Sequence, residues 1–210
     1  MSRARFWDIA AALPLIVVYA LAIYGFALEL GSDLAHAPRD GSAAASHLAS
    51  ALFVGLQTVL FLVRKLPVGR LPGLAPRALA MAGANCGVLY YLLPRVDAGL
   101  ASAIIISVGM LASTLVLSHL GRAFSVLPQA RALVTTGPYR FVRHPLYLAE
   151  QVASLGIMLQ FAQPWSAVVF LFGFALQWTR MLFEERILSE VFPEYRTYAA
   201  RTARVFPGWL

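Results

Sequence analysis

Six apolar stretches, separated by short connections that carry most of the arginines, constrain this chain more than anything else in it: residues 9–30, 48–63, 74–93, 100–120, 146–161 and 165–183. A membrane-crossing helix needs about 20 consecutive apolar residues. The first, third and fourth stretches reach that length outright. The second and the last two are shorter, and only Ala162, Gln163 and Pro164 part the last two, which reads as a tight helical hairpin. Of the 210 residues, 60% are apolar and 13% charged, where soluble domains carry about 25% charged residues. This excludes an ordinary soluble globule. It also excludes a disordered chain, which needs low hydrophobicity and high charge. The expected fold is all-α: a polytopic transmembrane helix bundle in one domain, residues 1–210.

The 17 basic and 10 acidic residues give a net charge of +7. A basic balance invites a nucleic-acid reading, but here the basic residues sit between apolar runs and form no continuous stripe, so no nucleic-acid partner is expected. They read as topology signals, because cytoplasmic connections hold an excess of Lys and Arg. Arg3 and Arg5, then Arg64, Lys65, Arg70 and Arg77, then Arg122, Arg131, Arg140 and Arg143, and finally Arg180, Arg186, Arg196, Arg201 and Arg204 fall on one side. Only Arg39 (against Asp33 and Asp40) and Arg95 (against Asp97) fall on the other. The expectation is a multi-pass protein with both termini cytoplasmic and an even number of crossings. The first stretch is expected to remain as a span, because Leu28-Glu29-Leu30 offers no small-residue cleavage site. The single cysteine, Cys86, has no partner for an internal disulfide and no CxxC or Cys/His spacing for zinc.

Residues 1–120 are chemically quiet. Gly55, Ala80, Ala84, Ser102, Gly109 and Ser113 suit close helix packing in a bilayer. Cys86 reads as a packing residue, and His36 and His47 as solvated groups in the outer connection. Residues 121–210 differ in kind. Gly137-Pro138 marks a turn, and Pro145 keeps His144 out of the helical region while suiting a helix's first turn. Tyr139, Arg143, His144 and Tyr147 therefore gather at one helix start, whose unpaired N–H groups suit a carboxylate or phosphate. Near the end of the last stretch, Arg180 and Glu184 share a helical face and are expected to pair, with Glu185 slightly offset. A hairpin that folds back brings these two clusters to one level. The following Phe192-Pro193-Glu194-Tyr195-Arg196-Thr197-Tyr198, with Arg201, Arg204 and Val205-Phe206-Pro207, reads as an interfacial helical element across the opening.

These residues carry a resemblance. Leu133-Val134-Thr135-Thr136-Gly137-Pro138-Tyr139, then Arg143-His144-Pro145-Leu146-Tyr147, then Arg180 with Glu184-Glu185, then Phe192-Pro193-Glu194-Tyr195-Arg196-Thr197-Tyr198, resemble the isoprenylcysteine carboxyl methyltransferase family. The wider group includes the phospholipid N-methyltransferases. The likeness covers about the last 90 residues. It implies an integral-membrane enzyme that takes S-adenosylmethionine at the cytoplasmic face, releases S-adenosylhomocysteine, and methylates a lipophilic, prenylated or lipid acceptor arriving from membrane lipid. By position it implies that Tyr139, His144, Pro145, Leu146 and Tyr147 line the cofactor site. Leu133 and Val134 would lie on an approach strand and Glu184 would contact the cofactor. Arg180 would hold the substrate carboxylate, with Arg143 and Glu185 supporting it in the catalytic set. No GxGxxG is present, in keeping with a family that does not hold the cofactor on a Rossmann loop.

The acceptor implied first is an isoprenylcysteine-like carboxylate; the alternatives are the amine of phosphatidylethanolamine and a small thiol. A carboxylate needs no general base, whereas an amine would need Glu184 or Glu185 to take its proton. A second resemblance, of Tyr147-Leu148-Ala149-Glu150 to membrane sterol reductases, implies NADPH and hydride transfer and fits the remaining motifs less well. It also leaves Glu150, an acid at membrane depth, to be explained. A non-enzymatic scaffold or transporter is the third alternative. Transporters tend to show internal repeats or paired broken helices, and neither is evident here.

Overall fold

The computed structural model describes residues 3–36, 41–96 and 99–206. Arg39, Asp40, Asp97, Pro207 and the His36 side chain, all invoked above, lie outside what it describes. The chain runs through α1 (Arg3–His36), α2 (Ser42–Val63), β1 (Gly69–Arg70), α3 (Ala75–Asn85), α4 (Gly99–Leu120), β2 (Gln129–Ala130), α5 (Pro145–Leu159), α6 (Trp165–Val191) and α7 (Tyr195–Arg201). Short 3₁₀ segments cover Cys86–Leu92, Gly121–Ala123 and Gly137–Arg140. The fold is the all-α membrane bundle expected, with one two-residue antiparallel pair, β1–β2, as its only sheet among the described residues.

The lengths of the spans differ from expectation. Helices α1, α2, α4 and α6 are each long and apolar enough to cross a bilayer. The second stretch qualifies because α2 begins at Ser42, with the Ala43-Ala44-Ala45 run adding a turn of strong helix formers. The sixth qualifies because α6 continues past its apolar run to Val191. The third stretch, expected as one full helix, is broken. Asn85 bonds back to the Met81 carbonyl at 2.8 Å, and at Cys86 the coil tightens to 3₁₀. A 3₁₀ turn rises about 2 Å per residue against about 1.5 Å for an α-helix. The composite of α3 and its 3₁₀ extension thus reaches about 30 Å, roughly the hydrocarbon thickness. Helix α5, at 15 residues, is shorter than a full span.

Packing runs α1–α2–α4–α5, and α6 closes the bundle against α5, α3 and the 3₁₀ extension. The α4–α5 crossing depends on glycine: a Cβ on Gly109 would stand 2.3 Å from the Ala153 nitrogen, and one on Gly156 would stand 2.7 Å from Ile106. That is the small-residue packing expected in lipid. Gly55 plays no such part, as nothing lies within 4 Å of its Cβ position.

Polar groups sort to the two ends. At one end, Asp8 pairs with Arg64 (3.0 Å) and Arg131 (2.9 Å), Arg5 donates to the Leu62 and Arg64 carbonyls, and β1–β2 ties the connection after α2 to the one after α4. At the other end, Glu29 pairs with Arg95 at 3.3 Å. His47, expected to be solvated, is half-buried between Glu29 and Asp33, 2.7 Å from each.

Candidate active site

Between β2 and Gly137 the chain is irregular, so the approach strand expected at Leu133 and Val134 is instead a segment outside any strand. It turns at Gly137, whose φ is +58° and whose Cβ position would lie 2.4 Å from the His119 ring. Only glycine meets both demands without strain. The 3₁₀ turn Gly137–Arg140 buries Tyr139. His144 then occupies the N-cap of α5, with Pro145 at its first position, where a missing N–H costs nothing.

From that start α5 presents Tyr147, Glu150, Gln151 and Ser154 along one face, and α6, returning antiparallel, presents Glu184, Arg180, Gln177 and Gly173. The spacings of three and four residues put each set in a row. Between the rows lies a cavity of about 350 Å³, lined on its other sides by Tyr19, Phe53 and Gln57 and by Cys86, Gly87 and Tyr90. It is polar near His144 and Glu184 and apolar near Ile157 and Val169. Cys86 is thus a wall of this space as well as a packing residue.

Leu133, Val134, Tyr139, Arg143, His144, Leu146, Tyr147, Arg180 and Glu184 all line this cavity. Pro145 is buried at the helix start but does not line it. Glu185 does not line it either; its carboxylate accepts from Arg204 (2.9 and 2.8 Å) and pairs with His144 Nε2 at 3.1 Å and Arg143 at 3.3 Å. It is a hub behind the wall.

The expected Arg180–Glu184 pair is not among the ion pairs of the described residues, because Tyr147 comes between the two. Its hydroxyl donates to Glu184, and the Arg180 guanidinium sits 5.0 Å over its ring while donating to the Val126 carbonyl at 3.3 Å. Spacing along one helix could not reveal a side chain inserted from another. Arg180 is 7% exposed, and its Nε has no hydrogen-bond partner.

The C-terminal element is seven residues of helix, with Tyr195 and Tyr198 buried on one face and Arg196 and Arg201 exposed on the other. Tyr195 and Tyr198 close the polar end of the cavity, and the Tyr198 hydroxyl donates to the Tyr139 carbonyl at 2.6 Å. Beyond α7 the backbone pairs with the entry to α5: Arg143 N–H donates to the Ala203 carbonyl (2.8 Å) and His144 N–H to that of Arg204 (3.0 Å). Burial pushes the Tyr198 phenol up to about 12 and raises those of Tyr139 and Tyr195 as well, so all three stay protonated at neutral pH. The hydrogen bond from Arg204 to Glu185 raises the Arg204 pKa and keeps that guanidinium charged.

Two contributors carry no motif, Gln151 and Gln177, and they join Glu150, the acid at membrane depth left to be explained. Glu150, Gln151 and Gln177 are linked through side-chain hydrogen bonds, Gln177 Nε2 donating to Glu150 at 2.6 Å and Gln151 donating to Gln177. A polar residue every third or fourth position inside an apolar run was the signal available.

Fold and site together define a class: an integral-membrane helical bundle whose last hairpin encloses an amphiphilic cavity, with acid, histidine and tyrosine at one end. Residues 98–195 match the phospholipid methyltransferase family, which upholds the resemblance read from the sequence over that segment. The chain is 36% identical over 111 residues to the nickel-cobalt-cadmium resistance protein NccN of Alcaligenes xylosoxydans xylosoxydans, covering 50% of this chain and 51% of that protein. It is 33% identical over 118 residues to the cobalt-zinc-cadmium resistance protein CzcN of Cupriavidus metallidurans, covering 54% of each. The match spans about half the length of these relatives. Among the described residues, no group of three or more His, Cys, Asp or Glu is arranged to hold a metal ion.

Proposed function

We propose that this protein is an S-adenosylmethionine-dependent methyltransferase of the membrane, acting on a lipophilic acceptor whose reacting group is a carboxylate, as in an isoprenylcysteine. The carrying observation is that Leu133, Val134, Tyr139, His144 and Tyr147 line one cavity with Arg180 and Glu184, far away in sequence, inside a segment matching the phospholipid methyltransferase family. When bound, S-adenosylmethionine supplies a methyl already activated on a sulfonium, leaving the protein the work of placement.

The residues present suit that cofactor. The Glu184 carboxylate offers an anion toward a cationic amino-acid group, and His144, Tyr139 and Tyr147 supply aromatic surface and hydrogen bonds. Arg180, buried with Nε unpartnered, is the residue type to orient an acceptor carboxylate through its planar fork of donors. Arg143 and Glu185 position the wall: the carboxylate of Glu185 fixes Arg143, His144 and Arg204 at once. Tyr195, Tyr198 and the paired tail limit water at the polar end, which strengthens every charge interaction inside. The apolar end accepts the lipophilic part. In this reading the arginine-rich end of the bundle is cytoplasmic, following the charge bias.

The test is purified protein with labelled S-adenosylmethionine and a panel of acceptors: prenylcysteine analogues, phosphatidylethanolamine and small thiols. Transfer to the prenylcysteine carboxyl supports the reading in full. Transfer to the phospholipid amine or a thiol keeps the methyltransferase and replaces the acceptor. Binding of NADPH in place of S-adenosylhomocysteine would sink it.

A further inference from the structure

The cofactor-side charges leave one polar feature of the cavity unused. One helical turn deeper than Tyr147 and Arg180, Glu150 and Gln151 on α5 face Gln177 on α6. An acid and two amides inside a membrane bundle are costly to keep and mark a site when they line a cavity, as these three do. Their hydrogen bonding is directional. Gln151 donates to the Gln177 carbonyl oxygen, Gln177 donates to Glu150, and the chain ends at the Gln151 carbonyl oxygen, which is buried without a partner. Each amide gives one N–H to the row, while the Gln151 carbonyl oxygen stays without a partner and the row ends in a carboxylate. One turn above, the unfilled atom is of opposite kind: Arg180 Nε is a donor without an acceptor. Three residues of helix separate the two levels, about 4.5 Å.

From this complementarity we infer that Glu150, Gln151 and Gln177 form an acceptor-head subsite that takes a hydrogen-bond donor, an N–H carried beside the group to be methylated. The subsite rests on the methyltransferase reading and deepens it: the preferred acceptor is an amphiphile whose head pairs a carboxylate, held at Arg180, with a neighbouring amide or amine N–H, held at the Gln151 carbonyl and Glu150. The three residues are specificity-determining. They select the acceptor by filling acceptor atoms that a head lacking N–H would leave buried and unpaired, the kind of mismatch that discriminates most strongly.

The experiment measures binding to the full chain in lipid nanodiscs saturated with S-adenosylhomocysteine. The probes are N-acetyl-S-farnesylcysteine and S-farnesylthiopropionate, which share tail and carboxylate and differ in the acetamido group that carries the N–H. Wild type is expected to bind the first at least tenfold more tightly. Gln151→Leu, and independently the near-isosteric Glu150→Gln, are expected to shrink that ratio several-fold, Gln151→Leu toward one. Equal binding of the two probes by wild type, or an unchanged ratio in both variants, overturns the subsite while leaving the methyltransferase reading intact. Failure of S-adenosylhomocysteine itself to bind, read in the same titration before either probe is added, overturns that reading and the subsite with it.

Discussion

Tyr147 donates its hydroxyl hydrogen bond to Glu184 across the α5–α6 contact, with the Arg180 guanidinium over the same ring. One phenol thereby separates an acid and a base that helical spacing alone would have paired. Glu184 keeps acceptor capacity toward the His144 end, and Arg180 is left facing Glu150 and Gln177 one turn deeper. The two charged groups can therefore serve different ligands.

Single substitutions should separate those roles. Arg180→Ala is expected to abolish methyl transfer while leaving S-adenosylhomocysteine affinity within a few-fold of wild type. Glu184→Ala is expected to weaken that affinity about 10- to 100-fold, as loss of a hydrogen bond to a charged group costs about 1.5–3 kcal/mol. Calorimetric titration with S-adenosylhomocysteine beside a transfer assay checks both, and equal residual activity in the two variants would contradict the assignment.

Glu185 should behave as a positioning residue. Its carboxylate gathers Arg143, His144 and Arg204, so Glu185→Ala leaves cations largely buried without their anion. Removing one partner from a buried ion pair costs about 3–5 kcal/mol. The expected result is a large drop in thermal unfolding temperature together with loss of cofactor affinity. Arg204→Ala, which removes the most exposed partner, should cost less. A double-mutant cycle between Glu185 and Arg204 reads their coupling directly, and additive effects would show that the two do not act as a unit.

The bundle and the inner face of the last hairpin were legible because hydrophobicity and charge are local properties of a chain. The long helices α1 and α4 and the sorting of Arg64, Arg122 and Arg131 to one end follow from them. The break at Cys86 was not legible, since it turns on Asn85 bonding back to its own helix and on α6 packing alongside. Val134 has a strand-forming side chain but it and Leu133 have no neighbouring strand to pair with, and pairing is a tertiary matter. At the site, residue types and order pointed to His144, Tyr147, Arg180 and Glu184. The partners of Glu185 and the Glu150–Gln177–Gln151 row depend on which faces of α5, α6 and the tail meet, and no spacing within one helix contains that.

Gly137 should tolerate no side chain. At φ +58° with the His119 ring 2.4 Å from its Cβ position, Gly137→Ala meets backbone strain of about 1–2 kcal/mol and a clash besides. The expected outcome is reduced thermal stability and weaker S-adenosylhomocysteine binding, since Tyr139 lies two residues on in the same 3₁₀ turn. His119→Ala in the same chain should relieve the clash and recover part of the stability, leaving the backbone strain. Full recovery would mean that the positive φ costs nothing here.

Asp8 lies far from the cavity in sequence yet should influence it. Its carboxylate is the shared partner of Arg64 and Arg131, and Arg131 lies two residues before Leu133 on the cavity wall. Asp8→Asn removes the negative charge between two buried guanidinium groups, which repel one another, and should cost about 3–5 kcal/mol of stability. Arg131→Met in the Asp8→Asn background should restore part of that loss, because an apolar side chain of similar length needs no counter-charge. Thermal unfolding of the three proteins in one detergent measures the stability effects, and S-adenosylhomocysteine titration shows whether anchoring α1 to this segment also shapes the site. If Asp8→Asn melts with the wild type, the Asp8–Arg64–Arg131 cluster does not hold the arginine-rich end together.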